Sequence, residues 1–543
     1  MILAVREWID TKRDVFGPGE YSGARIAHSD LIKAALRYEV IQKLFLFQDI
    51  DDRHSGEPRS CDTAVELIEE FGTDRVEVRP LRNFANDIRK SECIVFSSGP
   101  MIASLAATRV GLDVRFPICS VLHGVRWDNL MATYMYTMLL SERCDTLVAT
   151  SRAGKEAIDA IFNEAASLLA ARYPALGGGT SEPSLRVATI PLGVDEKQNG
   201  GKDKELCRQL LGIAHNDIVL LYLGRLTEAA KADLEPLLVV FGRLLRATPN
   251  AHLMICGQDL SSYSDALRQY ATSLGIGSAL RIIPNVTPLL KPVLYGGADI
   301  FLSPVDTVQE TFGLTLIEAM AAGLPVVASD WSGYKDIVED GTTGFLIPTY
   351  WHLETAATAA EYGPIRQWIK NDHLIAQSTI VDMEAMYNRL SLLIADREMR
   401  RRFGEAGRKR VLSHYTWSRV IDRYRDLWLE QIDQCRSITS PVIPLNRPVV
   451  DYNAVFRHYA TRTLQPSSLL MFNPATTTED GTFHKRVLQI RDPEVAGQIL
   501  RISQECEQAP RQLSQLVCDG TDTSLRAALW LLKKGFCRLC DSA

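Results

Sequence analysis

Short apolar runs alternate with longer amphipathic stretches along most of the chain, and this pattern predicts strands and helices in turn. The apolar runs of the first half are Lys43–Phe47, Cys93–Phe96, Cys119–Leu122, Thr146–Thr150 and Val187–Pro191. The stretch that follows them, Asp195–Glu205, is polar and contains glycine, as is typical of a linker. Unbroken apolar runs separated by helical patterns predict a parallel sheet with helices on both faces.

The same pattern begins again after this linker. Its apolar runs are Asp217–Gly224, Ala251–Gly257, Arg281–Pro284, Asp299–Ser303 and Pro325–Ser329. We therefore predict two consecutive doubly wound domains, at residues 1–195 and 206–395. Because ligands bind where the carboxyl ends of such strands face each other, a cleft between the two domains is the expected binding site.

The end of the chain lacks the alternation of strands and helices that marks the two domains. A charged helical pattern runs to about residue 431, and the segment Ser437–Asp451 with its three prolines is typical of a second linker. Beyond it, three helical patterns followed by an apolar strand predict a small, mainly helical, winged-helix-like module at 452–543. The third helical pattern has its apolar positions at Leu525, Ala528, Leu529 and Leu532. Its basic residues are few, which favours a protein partner or homo-oligomer over nucleic acid for this module.

Composition narrows the function further. The chain is 46% hydrophobic and 23% charged with a net charge of -6, which argues against a protein built to bind nucleic acid or anionic lipid. Arg6 and Glu7 interrupt the apolar start, so we expect no signal peptide, and no uncharged stretch predicts a transmembrane segment. Singly scattered cysteines favour reduced thiols and a cytoplasmic protein. We expect neither a metal site nor a cofactor.

Most of the candidate ligand-binding residues lie in one segment, between Asp299 and Pro348. A loop after the strand Asp299–Ser303 leads into a helix, with Glu310 just before the helix and Glu318 in its middle. The amides around Gly313, Leu314 and Thr315 at the helix start can bind an anionic diphosphate. Glu310 is then placed to hold hydroxyls of a neutral sugar, and Glu318 to reach a ribose, because a carboxylate accepts paired hydrogen bonds from vicinal hydroxyls.

The whole segment Gln309–Val327, QETFGLTLIEAMAAGLPVV, resembles the E-x7-E signature of family 4 retaining glycosyltransferases. Three further segments match the family in order along the chain. The segment Tyr222–Arg225 followed by Lys231 resembles the Arg and Lys that grip the donor phosphates, although Ala232 replaces the family's usual glycine. His123, after the strand Ser120–Leu122, resembles the histidine near the donor sugar, and Gly23 lies where the family has a glycine-rich loop.

This resemblance covers about residues 15–430. It implies a GT-B fold of two Rossmann-like domains, an N-terminal acceptor domain and a C-terminal nucleotide-sugar domain, with helices at 396–434 crossing back to the first. It also implies a metal-independent transfer of a sugar from a UDP-, GDP- or ADP-sugar to an acceptor hydroxyl with retention of configuration. Glu310, His123, Arg225 and Lys231 would be the catalytic residues. Glu318, Gly313, Leu314, Thr315 and Gly23 would bind the donor.

Two alternatives remain open from the sequence. One is a catalytically inactive GT-B scaffold that binds a partner through its tail. The other is a phosphorylase or epimerase that uses the same fold.

Overall fold

The chain has 543 residues, and a computed structural model divides it into two compact units. The larger, here called the main unit, comprises residues 1–47, 59–79 and 83–445, and the smaller, the C-terminal unit, comprises 446–543 with 48–58 and 80–82. The structure describes residues 1–6, 13–14, 17–18, 23–48, 62–99, 102–124, 130–172, 184–195, 202–259, 261–362, 368–439, 455, 463–473, 482–490, 493–517 and 522–540.

The first half of the main unit is a doubly wound sheet domain. Its strands are β1 (Ile2–Arg6), β2 (Arg13–Asp14), β3 (Gly17–Pro18), β4 (Lys43–Gln48), β5 (Val76–Pro80), β6 (Cys93–Ser98), β7 (Ile118–Leu122), β8 (Thr146–Ala149) and β9 (Arg186–Thr189). Seven of them form one sheet in the order β5-β4-β1-β6-β7-β8-β9, while β2 and β3 pair with each other. The pairs from β4 to β9 are parallel. The helices are α1 (Gly23–Arg37), α2 (Asp62–Phe71), α3 (Phe84–Lys90), α4 (Ile102–Leu112), α5 (Leu130–Leu140) and α6 (Arg152–Arg172), with a 3-10 turn at Leu81–Asn83.

The second half is built in the same way. Its strands are β10 (Ile218–Leu223), β11 (Ala251–Gly257), β12 (Leu280–Pro284), β13 (Ile300–Ser303), β14 (Val326–Ser329), β15 (Gly344–Ile347), β16 (Thr349–Trp351) and β17 (Thr379–Val381). The first six form a parallel sheet in the order β12-β11-β10-β13-β14-β15, and β16 and β17 form an antiparallel pair.

Helices follow nearly every strand of this half. They are α7 (Lys204–Leu211), α8 (Glu235–Ala247), α9 (Tyr263–Ser273), α10 (Lys291–Gly297), α11 (Leu314–Ala321), α12 (Tyr334–Ile337), α13 (Leu353–Tyr362), α14 (Trp368–Ala376) and α15 (Met383–Ala395), with a 3-10 turn at Gly277–Ala279. Alternate residues of β10 enter two different cores, with Leu220 and Tyr222 in one and Leu221 and Leu223 in the other. Burial on both faces explains why the strands are apolar without interruption.

Two long helices, α16 (Arg397–His414) and α17 (Trp417–Ser437), close the main unit. Helix α16 lies against the second domain, since a Cβ at Gly404 would lie 2.0 Å from the Gly323 carbonyl oxygen. Helix α17 lies against the first sheet, where Trp428 packs on Phe96 and the Gln431 amide donates to the carbonyl of Ile118 at the start of β7 and to that of Cys144 just before β8. It ends at Ser437, beyond the boundary that the sequence placed at 434.

The C-terminal unit has its own core around Leu470, Ile499 and Leu531. It contains β18 (Leu469–Phe472), α18 (Thr482–Leu488), α19 (Pro493–Gln508), β19 (Arg511–Gln512), α20 (Leu513–Leu516), α21 (Asp522–Lys533) and β20 (Cys537–Cys540). The three strands form an antiparallel sheet in the order β19-β18-β20. The prediction of a mainly helical module is confirmed, but β18 was not predicted.

The buried face predicted for α21 is partly wrong. Ala528 is buried as predicted, but Leu525 and Leu529 are 36% and 40% exposed, and Ala527 and Leu531 are buried instead. The large apolar residues on this helix do not by themselves identify its inner face, because the small Ala527 and Ala528 pack in the core with residues of α19.

No helix among the described residues is long and apolar enough to cross a membrane.

Candidate active site

The carboxyl edge of the second sheet is where the chain reverses its strand order. Strand β10 pairs with β11 on one side and with β13 on the other, so the order changes direction between β10 and β13. Ligands of open parallel sheets bind outside the carboxyl ends of the strands at such a switch point. The loops that leave β10 and β13, residues 224–234 and 304–313, therefore define the candidate active site.

A lysine and a glutamate meet between these two loops. The Lys231 ammonium group pairs with one carboxylate oxygen of Glu310, and the other oxygen accepts a hydrogen bond from the Phe312 amide at 3.2 Å. Both side chains are largely buried, with 14% and 13% of their surface exposed. Burial raises the pKa of the Glu310 carboxyl, but the Lys231 charge and the Phe312 amide outweigh it, and the pKa lies below its usual value. Glu310 is therefore an ionised, paired carboxylate.

Arg225 lies in the same loop as Lys231 and also lowers the pKa of Glu310 through its charge. Its guanidinium donates to the Ala230 carbonyl at 3.1 Å, and its own carbonyl accepts from the Tyr222 hydroxyl at 3.2 Å. The backbone approaches closely here, because a Cβ at Gly257 would lie 1.6 Å from the Gly224 carbonyl oxygen. The structure thus brings Arg225, Lys231 and Glu310 together.

Helix α11 begins directly after the Glu310 loop. Gly313 has a positive φ of 114°, and a Cβ at this position would lie 2.5 Å from the Tyr334 ring. Only glycine fits this turn without strain. Leu314 and Thr315 form the first turn of the helix, whose amides cannot bond within the helix and can receive an anion.

Glu318 lies farther along α11 and is 6% exposed. One of its oxygens pairs with the Lys291 ammonium group at 2.6 Å, and the other accepts from the Tyr295 hydroxyl at 2.7 Å. Both partners belong to α10. A ribose hydroxyl at Glu318 would have to share or replace one of these two contacts.

His123 follows strand β7 of the first domain. Both ring nitrogens are buried without a hydrogen-bond partner among the described residues, and burial lowers the pKa of the imidazole to about 4. Its carbonyl accepts from the Thr311 hydroxyl at 3.0 Å, and the Thr311 and Thr150 hydroxyls are 3.2 Å apart. A Cβ at Gly124 would lie 3.1 Å from the Gln309 carbonyl oxygen. A neutral histidine of the first domain thus meets the Glu310 loop of the second.

The sequence did not identify two residues of helix α1 near this point. His28 is 4% exposed and stacks on Phe96, and burial together with His123 lowers its pKa to about 3. Burial raises the pKa of Asp30 to about 6, and the charges that it senses include Glu318 and Lys291 of the second domain. The signal for them in the sequence is a histidine and an aspartate at positions i and i+2 of a helix that follows a glycine-bearing loop. Helix α1 begins at Gly23, but the preceding loop residues 19–22 lie outside the described residues, so the prediction for Gly23 stays open.

Two further polar residues precede Glu310 in its loop. Asp306 is 7% exposed, and its Oδ2 atom accepts from the Asp233 amide at 3.2 Å. Burial, together with the Asp233 charge, raises the pKa of the Asp306 carboxyl to about 7. Thr307 is 2% exposed. Two polar residues shortly after a buried strand, in the loop that carries Glu310, are a signal in the sequence for this part of the site.

No group of three or more His, Cys, Asp or Glu side chains suited to a metal ion occurs in the part of the chain that the structure describes.

Comparison with known proteins finds a family model that matches part of the second domain. Residues 203–361 match the family described as "Glycosyl transferases group 1". The D-inositol 3-phosphate glycosyltransferase of Geodermatophilus obscurus is 34% identical over 169 residues, which cover 30% of this chain and 37% of that protein. The lipopolysaccharide 1,2-N-acetylglucosaminetransferase of Salmonella typhimurium is 26% identical over 249 residues, covering 45% and 56%. The matched region thus spans about two fifths to one half of these curated relatives.

Solved structures match over a longer range. Sucrose-phosphate synthase from Thermosynechococcus elongatus has a TM-score of 0.53 at 16% identity, covering 80% of this chain and 99% of that one. Alr3699/HepE from Anabaena, in complex with UDP and glucose, has a TM-score of 0.53 at 17% identity, covering 79% and 100%. The predicted GT-B fold of two Rossmann-like domains is confirmed.

Proposed function

We propose that this protein is a retaining glycosyltransferase that moves a sugar from a nucleotide-sugar to an acceptor hydroxyl without a metal ion. The observation that carries the proposal is the meeting of Arg225, Lys231 and Glu310 at the strand-order reversal of the second sheet. The group 1 glycosyltransferase match at 203–361 includes all three residues and supports the same reaction class.

The diphosphate of the donor would lie against the two cations and the start of α11. Arg225 and Lys231 supply fixed positive charge, and the first-turn amides at Gly313, Leu314 and Thr315 add the positive end of the helix dipole. These groups stabilise the negative charge that develops on the leaving phosphate, which is the task of a cation in metal-dependent transferases. Lys231 now neutralises Glu310, so the arriving phosphate would compete for this lysine.

Glu310, once Lys231 turns to phosphate, would accept hydrogen bonds from sugar hydroxyls, and Glu318 would do so from the ribose. His123 is neutral at physiological pH, because its pKa of about 4 lies well below 7, and it can therefore both donate and accept a hydrogen bond. We propose that it contacts the donor sugar from the side of the first domain. The acceptor hydroxyl would attack on the face from which the phosphate leaves, with that phosphate taking up the proton.

The nucleotide of the donor can be UDP, GDP or ADP. The Anabaena structure contains UDP and glucose, which makes UDP-glucose the first donor to try. A thermal shift screen over the three nucleotides is the direct choice, since a ligand at 100 times its Kd adds about 2.7 kcal/mol of stability.

The decisive experiment measures nucleotide release from the preferred donor in the presence of EDTA, and NMR assigns the configuration of the glycosylated product. We expect release that survives EDTA, a product with the configuration of the donor, and at least about a hundredfold loss in Lys231→Met. Lys204→Met is the matched control, because Lys204 forms a half-exposed ion pair with Asp299 in the same domain.

Three results would contradict the proposal in different ways. Loss of release with EDTA and recovery with magnesium would remove metal independence. A sugar phosphate or an epimer as the product would indicate a phosphorylase or epimerase. Nucleotide binding without any donor turnover would indicate an inactive scaffold.

A further inference from the structure

Two buried polar atoms in the Glu310 loop lack a hydrogen-bond partner among the described residues. They are Oδ1 of Asp306 and the hydroxyl oxygen of Thr307, in side chains that are 7% and 2% exposed. Buried polar atoms are nearly always paired in folded proteins, and each unpaired one needs an explanation. A binding site in which a polar ligand pairs with both atoms explains why they have no partner within the protein.

The other polar atoms of these two residues fix them in place. Oδ2 of Asp306 accepts the Asp233 amide at 3.2 Å, and the Thr307 carbonyl accepts the Trp331 indole N–H at 2.9 Å. One contact anchors the carboxylate to the Lys231 loop, and the other anchors the backbone to the segment after β14. The unpaired atoms therefore belong to an ordered part of the site.

Asp306 shares the surroundings of Glu310. The Tyr222 hydroxyl at the end of β10 has a pKa raised by burial, by Asp306 and by Glu310, and lowered by Arg225. All three charged groups therefore surround one buried hydroxyl. Asp306 and Glu310 lie together at the carboxyl edge of β10 and β13.

The charges of this region divide into two sets. Arg225 and Lys231 are suited to phosphate oxygens. Asp306, with Asp233 beside it, and Glu310 accept hydrogen bonds and are suited to hydroxyl or ammonium groups. A carboxylate placed among them would meet like charge in a poorly solvated site, which disfavours binding.

We propose that Asp306 Oδ1 and the Thr307 hydroxyl bind a hydroxyl or ammonium group of the donor sugar, so that the enzyme uses neutral or amino hexoses and discriminates against hexuronic acids. This inference rests on the proposed function and deepens it, because it assigns the polarity of the sugar subsite. Glu310 and Asp306 then receive different groups of the same sugar.

The test compares a hexose donor with its uronic acid on one nucleotide: UDP-glucose with UDP-glucuronic acid, or GDP-mannose with GDP-mannuronic acid if guanosine is preferred. Wild type should release nucleotide from the hexose donor with a kcat/KM roughly tenfold or more above that of the uronate. Asp306→Asn keeps an acceptor for the Asp233 amide and removes the charge, so it should narrow this ratio mainly by improving the uronate. Thr307→Val should raise the KM for the hexose donor and leave the Kd of the free nucleotide unchanged.

Asp330→Asn is the matched control, because Asp330 follows β14 at the same sheet edge but is 44% exposed; its donor ratio should equal that of wild type. Equal use of both donors by wild type, or a ratio that Asp306→Asn does not alter in a protein that binds the nucleotide normally, overturns the inference. Nucleotide binding with no turnover of either donor instead overturns the proposed function. Thermal unfolding of each variant separates a local effect from misfolding.

Discussion

Two lysine–glutamate pairs lie near the carboxyl edge of the second sheet, and their surroundings differ. Lys231 and Glu310 come from loops after two neighbouring strands, and the second oxygen of Glu310 accepts from the Phe312 amide of its own loop. Lys291 and Glu318 come from two packed helices, and the second oxygen of Glu318 holds the Tyr295 hydroxyl. The same two residue types thus form a pair between loops in one place and a pair between helices in the other.

Because one pair joins two loops and the other joins two helices, we expect substitutions in the two pairs to have different effects. A pair between loops can exchange its lysine for phosphate and its glutamate for sugar hydroxyls with little change in the core. A pair between helices also contributes to the packing of α10 on α11. We therefore expect Glu310 to affect turnover with little effect on folding, and Glu318 to affect both nucleotide binding and stability.

The largest expected effect is that of Glu310→Gln. Loss of the carboxylate removes the acceptor of sugar hydroxyls where the transition state forms, and turnover of the preferred donor should fall by about 10²–10³-fold. The Kd of the free nucleotide should change by no more than a few fold. Isothermal titration and nucleotide release separate the two quantities, with Glu384→Gln, in an exposed pair with Arg243, as the control. A variant that loses nucleotide affinity while keeping turnover would show that the roles of Glu310 and Glu318 are exchanged.

Much of this arrangement was predictable from the sequence, because it depends on local order. The strand Ile300–Ser303, the loop, Gly313 and the helix carrying Glu318 follow each other within one segment, so apolar run, glycine and helical period predict them directly. The same holds for Arg225 and Lys231 after β10. His123 also lies at a strand end, and its carbonyl accepts from the Thr311 hydroxyl, one residue after Glu310.

The partners of these residues were not predictable, because they depend on which elements become neighbours. Lys291 lies 27 residues before Glu318, on a helix whose position follows only from the packed sheet. Asp306 meets the Asp233 amide because β10 and β13 are adjacent, and their adjacency is a property of strand order. His28 depends on α1 covering β6 and β7. A pattern along the chain carries no information about such pairings.

Asp306 can be compared with the two lysine–glutamate pairs, because the described partner of its carboxylate is a backbone amide and not a cation. Its pKa of about 7 in the folded protein lies above the ordinary value of 3.8, so the folded state binds the extra proton between these two values. Stability contributed by that proton is present at low pH and is lost as pH rises towards 7. Wild type should therefore lose about 2–3 kcal/mol of unfolding free energy between pH 5 and pH 8 that Asp306→Asn does not lose. Urea unfolding at both pH values measures the difference, and parallel curves for the two proteins would contradict it.

Glu318→Gln should have a smaller effect on stability and a distinct effect on binding. The amide can still accept from Tyr295, but Lys291, which is 22% exposed, loses its counter-charge, and we expect a loss of about 1–3 kcal/mol. Nucleotide affinity should fall, because the ribose loses a charged acceptor.

A second variant distinguishes the two roles of Glu318. In Lys291→Met/Glu318→Gln both charges are absent while the amide oxygen still accepts from Tyr295, and most of the lost stability should return, because no buried charge is left without a partner. Nucleotide affinity should not return. Recovery of both, or of neither, would show that stability and binding at Glu318 are not separable.

The last variant, Tyr295→Phe, removes one hydroxyl from the pair between helices and leaves both charges in place. The Tyr295 hydroxyl donates to the Glu318 carboxylate at 2.7 Å and is buried, so its loss should cost about 1.5–3 kcal/mol. Tyr334→Phe is the matched control, because the Tyr334 hydroxyl is also buried and lies 2.7 Å from the neutral Ser303 hydroxyl. Urea unfolding of the two variants at pH 8 should show the larger loss for Tyr295→Phe. Equal losses would contradict the prediction, because they would show that the Tyr295 hydroxyl gains no more stability from the Glu318 carboxylate than the Tyr334 hydroxyl gains from a neutral hydroxyl.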